Sequence, residues 1–158
     1  MEAKFARGES IAEAIRRLVY GTSRSIDAAL YRLNYPGLAK TLEDAVARGV
    51  RVRLLVDGNK YQESPSTQAL LAQATIPFRL AYGRRGRGSK MHHKFVILDQ
   101  HIVLTGSYNW TLESEDENYE NLLILDQALP VEAYLREFEA LWTGADRDGP
   151  DFSRASSL

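Results

Sequence analysis

The strongest restriction on the fold comes from the stretch between residues 25 and 56. Ser25 to Leu30 alternates, with Ile26, Ala28 and Leu30 on one face, as a strand requires. Leu38, Leu42, Ala45 and Val46 then recur at helical spacing, with Pro36 near the start and Gly49 at the end. Val50 to Val56 is a second, strongly β-branched run, closed by Asp57-Gly58-Asn59. Strand, helix and strand with short connections predict a parallel crossover, and a parallel pair needs helices to cover its sheet.

The flanking segments extend this pattern. Ser10 and Glu13 have capping-box spacing, and Ile11, Ala14, Ile15, Leu18 and Val19 give a helix to about Tyr20, stopped by Gly21. Ser64-Pro65 opens a helix carrying Ala69, Leu70, Leu71 and Ala74. Pro77, Phe78 and Leu80 make a short strand whose proline suits an edge or a strand start. Tyr119 to Leu125 is another strand candidate, and a last helix begins near Pro130 and presents Val131, Tyr134, Leu135, Phe138, Leu141 and Trp142. The expected fold is α/β, with a central mixed, partly parallel β-sheet flanked by helices. At 158 residues and 44% hydrophobic composition, one domain spanning 1–158 is expected, its polar end from about residue 145 being either an ordered cap or a loose tail. No internal repeat is visible.

Composition removes several classes of chemistry. There is no cysteine, hence no disulfide, no thiolate nucleophile and no Cys-based zinc or iron–sulfur site, although the compartment stays open. No apolar run has the length of a membrane helix, and the first residues lack the apolar centre of a secretory signal. The sequence therefore reads as cytoplasmic and without stable membrane association, as would a chain whose signal had been removed. The formal charge is only −1, but it is segregated. Arg84, Arg85, Arg87 and Lys90 gather among three glycines before residue 91, while Glu113, Glu115, Asp116, Glu117 and Glu120 gather after residue 109. The basic run is expected to be a mobile loop that tracks phosphates along a substrate groove.

Residues 91–109 carry the chemistry. His92 and Lys94 stand two apart in a run that favours an extended strand, so both side chains leave one face while His93 leaves the other. A second apolar run, Ile102 to Leu104, follows a short Asp99-Gln100 connection and ends in Thr105-Gly106-Ser107-Tyr108-Asn109. Paired as a hairpin, the two runs bring the Gly106-Ser107 corner beside His92 and Lys94. Imidazole, ammonium, hydroxyl, amide and flexible backbone N–H groups together suit a phosphate diester, which must be gripped before phosphorus is attacked. A metal site is not expected, because the acidic run shows no recognisable ligand motif.

His92-x-Lys94, four residues, Asp99, six residues, then Gly106-Ser107-x-Asn109 resembles the HKD motif of the phospholipase D superfamily. The Ala-Ala-Leu-Tyr segment at 28–31, the Gly-Val-Arg-Val-Arg-Leu-Leu-Val-Asp-Gly run at 49–58 and Glu120-Asn121-Leu122-Leu123 also resemble the small single-motif bacterial endonucleases of that family, so that the likeness covers about residues 9–142. The resemblance implies a phospholipase D-like fold and a phosphodiesterase that needs no metal or cofactor and works through a phosphohistidine. Members use two motifs at one centre, and this chain has one, so a homodimer through the motif face is implied, with His92 of each subunit facing across a two-fold axis. Carried over, His92 is nucleophile and acid–base group. Lys94 and Asn109 hold the non-bridging oxygens with help from Ser107, and Glu120 orients the histidine and favours imidazolium. Asp99 and Gly106 are architectural.

A sequence-nonspecific endonuclease acting on DNA or RNA is the leading expectation. A phospholipid phosphodiesterase or transphosphatidylase is the alternative within enzymes, and a nucleic-acid-binding module that has lost catalysis is the alternative outside them.

Overall fold

The computed structural model describes residues 1–145. Along the chain lie β1 (Glu2–Phe5), α1 (Ile11–Tyr20), β2 (Ser25–Leu30), α2 (Pro36–Ala47), β3 (Arg51–Asp57), α3 (Gly58–Glu63) and α4 (Pro65–Gln73). They are followed by β4 (Phe78–Ala81), β5 (Lys94–Leu98), β6 (Ile102–Gly106), α5 (Leu112–Asp116), β7 (Asn121–Leu125) and α6 (Ala128–Gly144). The strands form one sheet in the order β1-β7-β6-β5-β2-β3-β4. β2, β3 and β4 run parallel, whereas β5 is antiparallel to β2 and starts an antiparallel meander through β6, β7 and β1. The sheet is therefore mixed, with the parallel crossover in one half.

Both faces are covered. Ile26, Ala28 and Leu30 of β2 join Leu54, Val56, Val96 and Leu104 in a core packed under α1, α2 and α4. Ala29, Leu55, Phe95, Ile97 and Val103 point the other way, beneath α6. All six residues of β2 are buried, as expected for a strand at the sheet's centre. Local signals set the helix starts: the hydroxyls of Ser10 and Ser64 accept the N–H groups of Glu13 and Thr67.

α6 covers its face of the sheet with few buried side chains but specific partners. Phe138 is fully buried, worth about 1.5–3 kcal/mol by area. The Tyr134 ring meets Phe95 edge-on at 4.9 Å. Arg53 donates from Nε to the fully buried Asp27 at 2.7 Å and from Nη2 to Glu139 at 2.5 Å, while its guanidinium lies over Phe138. Asp27 and Arg53 face each other in the parallel register, which brings the buried carboxylate its cation.

The β5–β6 hairpin turns through Asp99 and Gln100, whose φ angles of 53° and 54° define the tight turn that matches strand twist. The Asp99 carboxylate accepts the backbone N–H groups of Ser23, Arg24 and Ser25 at 3.1, 2.7 and 3.0 Å, tying the hairpin tip to the start of β2. Burial opposes its charge, but these three donors outweigh that and hold the carboxyl below its usual range.

Four elements differ from the sequence expectation. β1, mostly exposed and without an apolar face, pairs only at the sheet edge with β7. α3 and α5 occupy stretches read as a turn and as an acidic connection; each is one short helix, opened by Asp57 and Thr111 side chains that accept an N–H three residues on. β5 begins at Lys94, so His92 lies in the segment that leads into the strand. The expected tail falls on 146–158, outside the described residues, and Ala145 is buried.

Candidate active site

The site lies where β2 and β3 end and β5 begins, the crevice beyond the carboxyl ends of parallel strands. Phe95 pairs with Thr105, which brings Gly106 alongside Lys94, as the hairpin reading required. Lys94 stands with its ammonium 3.3 Å from His92 Nδ1 and 3.5 Å from Nε2, and it donates to the His92 carbonyl oxygen at 2.8 Å. An ammonium only donates, so the ring nitrogen it bonds is unprotonated. Burial, then the charges of Lys94 and Lys90, push the His92 pKa down, and burial lowers that of Lys94. Within one chain the environment therefore favours neutral imidazole, not imidazolium.

The other flank of His92 is Tyr31, whose ring centroid is 4.4 Å from that of the imidazole. Tyr31 follows β2 directly and its N–H donates to the His93 carbonyl at 2.9 Å, which continues the β2–β5 pairing into the site. His93 leaves the opposite face, with Nε2 3.1 Å from Glu137 of α6. His101 is exposed beyond the hairpin turn.

Ser107 and Glu120 form a separate unit. The Ser107 hydroxyl donates to Glu120 at 2.5 Å and accepts from the backbone and side-chain amides of Asn121. Its one proton is thus spent on the carboxylate, which also receives Ser114 and Asn118 at 3.2 and 3.1 Å. Among the described residues no hydrogen bond joins Glu120 to His92. The orienting contact expected from the sequence is absent within one chain, although Glu120 is close enough to Lys94 to act on its charge. Gly106 makes this unit possible: a Cβ there would lie 2.3 Å from the Asn121 carbonyl oxygen, forcing β7 and Glu120 away.

The segment carrying Asn109 is docked on the chain after β2, where the Trp110 carbonyl accepts the N–H groups of Asn34 and Tyr35. The Asn109 side-chain oxygen is buried and, among the described residues, unpartnered. Such an amide is held by packing with its hydrogen-bonding capacity uncommitted.

The basic segment is a closed loop, in place of the mobile one expected. Gly83 donates to Ser89, Gly86 to Gly83 and Ser89 to Gly86, and a Cβ on Gly83 would collide with the Lys90 backbone. Asn59 of α3 bolts the loop down, donating to the Ser89 carbonyl at 3.0 Å and accepting from Gly88 at 3.2 Å. Arg84 and Lys90 line a cleft of about 640 Å³ together with His92, Met91, Tyr82 and Leu141, whereas Arg85 and Arg87 lie on the loop's outer part. Sequence reasoning missed Tyr31, Asp57 and Asn59 as organisers of this site. The Ala-Ala-Leu-Tyr and Val-Asp-Gly-Asn runs were the available signals. Among the described residues no group of three or more His, Asp or Glu is placed to hold a metal, and no helix is long and apolar enough to cross a membrane.

Known proteins resemble this chain over most of its length. The family described as cardiolipin synthase, PLD-like domain, matches residues 15–142. The mitochondrial cardiolipin hydrolase of Xenopus tropicalis is 36% identical over 135 residues, covering 85% of this chain and 62% of that protein. The chain thus spans about three-fifths of that relative's length. The crystal structure of a phospholipase D family member, Nuc from Salmonella typhimurium, superposes with a TM-score of 0.80 at 25% identity, covering 92% of this chain and 95% of the other. NucT from Helicobacter pylori shares the fold, with a TM-score of 0.78 at 20% identity over 91% and 98% of the two chains. A motif placed in one crevice, a fold shared along nearly its whole length and a family match over most of its residues establish that the chain belongs to the phospholipase D superfamily of phosphodiesterases.

Proposed function

We propose that the protein is a metal-independent, sequence-nonspecific endonuclease that hydrolyses DNA, and RNA by the same chemistry, through a phosphohistidine in a centre shared by two subunits. The observation that carries this reading is the Lys94 ammonium against the His92 ring, a neutral nucleophile beside a fixed cation. His92 attacks phosphorus, forming an N–P bond as the leaving oxygen departs with a proton from His92 of the partner subunit. That second imidazole then takes a proton from water, whose oxygen attacks phosphorus and breaks the N–P bond. Lys94 and the uncommitted Asn109 amide hold the non-bridging oxygens, so positive charge and donors supply the role a metal plays elsewhere. Arg84, Arg85, Arg87 and Lys90 attract the polyanion without reading bases.

Dimerisation through the motif face is supported by what one chain leaves unfinished. Glu120 holds three donors and has acceptor capacity for a fourth, which His92 of the partner subunit would supply. Exposed Phe5 and Tyr119 flank Glu120 in a groove, apolar surface suited to a second copy. Cleavage of plasmid DNA in EDTA tests the reading, with loss of cleavage in His92→Ala expected. A wild-type protein inert toward every diester offered leaves the non-catalytic binding module.

A phospholipid phosphodiesterase is the second reading, favoured by the name and 36% identity of the Xenopus relative and by Met91 and Leu141 in the cleft. Cardiolipin vesicles cleaved in EDTA, with DNA left intact, would select it.

A further inference from the structure

Lys60, a residue outside the motif and the basic loop, points its ammonium at the same ring that supports His92. Its Nζ lies 5.9 Å from the Tyr31 ring centroid, that of Lys90 also 5.9 Å, and that of Lys94 5.1 Å. These three cations come from α3, the basic loop and β5, and gather around one aromatic ring, whose π system attracts cations. Lys60 pairs with Glu63 at 3.1 Å on the exposed side; among the described residues Lys90 and Lys94 have no ion pair. Among the described residues Asp57 makes no ion pair with them; its oxygens accept backbone N–H groups, and its charge acts on His92.

That use of Asp57 is what sets the arrangement. The fully buried side chain accepts the N–H of Lys60 at 2.8 Å and the N–H of Met91 at 2.9 Å, so one group fixes the backbone of both lysine-bearing segments. Asn59 adds two hydrogen bonds from α3 to the basic loop. A buried carboxylate and a buried ring thus gather three ammoniums next to the nucleophile. Cations gathered in this way suit an anion, and in the proposed reaction Lys94 already serves the phosphate under attack.

We infer that Lys60 and Lys90, gathered on Tyr31, form a subsite for a second phosphate, the one next to the scissile phosphate along a nucleic-acid strand. The inference rests on the endonuclease reading and adds to it a defined contact one phosphodiester away from the bond broken. The subsite grips backbone charge alone, so it favours chains with consecutive phosphates over isolated diesters.

The test uses single-stranded oligonucleotides in which cleavage is read at one defined phosphodiester, while the neighbouring phosphate on the 5′ or the 3′ side is either natural or replaced by an uncharged methylphosphonate. For wild-type protein the natural neighbour raises kcat/KM about tenfold on one of the two sides. In Lys60→Met, which keeps the aliphatic stem, that ratio falls toward one, and in Lys60→Glu it falls further. The salt slope of binding also drops by about 0.7 in Lys60→Met, one single-strand phosphate contact. An unchanged ratio in both variants, with wild type active, overturns the subsite and leaves the endonuclease reading intact. Wild type that cleaves bis(p-nitrophenyl) phosphate but none of the oligonucleotides overturns the nucleic-acid reading, and the subsite with it.

Discussion

The ammonium of Lys94 sits 3.3 Å from Nδ1 of His92 and is anchored to the carbonyl oxygen of the same residue at 2.8 Å. A cation held this way stays beside the histidine and opposes its protonation within one chain. Lys94→Met should therefore lower kcat by about 10²–10³-fold, the scale for losing one preorganised charge donor, while the protein stays folded. Steady-state kinetics on a small diester in EDTA, beside circular dichroism, checks both halves; near-wild-type kcat would remove Lys94 from phosphate binding.

The same contact sets a pH dependence. Burial and two ammoniums depress the His92 pKa, so the neutral nucleophile persists below the ordinary imidazole value of about 6.5. As pH falls, the acid limb of kcat/KM should therefore appear below that value. Replacing Lys90 by Met removes one like charge and should move the limb upward; a profile unmoved, or shifted downward, would contradict the electrostatic origin.

Asp99 acts on stability, not on chemistry. Asp99→Ala strands three backbone N–H groups and puts a Cβ-only residue at positive φ, and should cost about 1.5–3 kcal/mol in urea denaturation. Asn, which tolerates the same backbone and keeps one acceptor, should cost less. Because the folded carboxyl is depressed, its contribution is complete above the unfolded value of about 3.9 and fades as pH falls through the folded one. The gap between wild type and Asp99→Asn should narrow over that acid range.

Ser107 and Glu120 should behave as one unit. Ser107→Ala removes the donor at 2.5 Å that fixes the carboxylate, and should reduce kcat with KM little changed. Adding Ser107→Ala to Glu120→Gln should then cost less than the two losses combined. Additive losses would place Ser107 on the phosphate instead.

Much of this was legible in the sequence, for reasons that differ by element. The crossover over 25–56 showed because its strands and helix each carry a clean period, and His92-x-Lys94 with Gly106-Ser107-x-Asn109 showed because hairpin pairing brings their flanks together. β1 was invisible because Glu-Ala-Lys-Phe has no buried face, and α3 because a helix of 6 residues is too short to show a period. The loop at 83–90 reads as mobile from its glycines, yet Asn59, distant in sequence, closes it. Tyr31 reads as part of a polar connection and of a family-like run, since nothing local says that the ring just after a strand will meet a histidine 61 positions on.

The shared centre is the core of this account, and subunit mixing tests it most directly. Tagged His92→Ala protein is exchanged with untagged wild type, the heterodimers are isolated, and diester cleavage in EDTA is measured. Inactive heterodimers are expected, because each centre needs an imidazole from both copies. Heterodimers retaining half the wild-type dimer's activity would contradict it, as each chain would then be cutting alone.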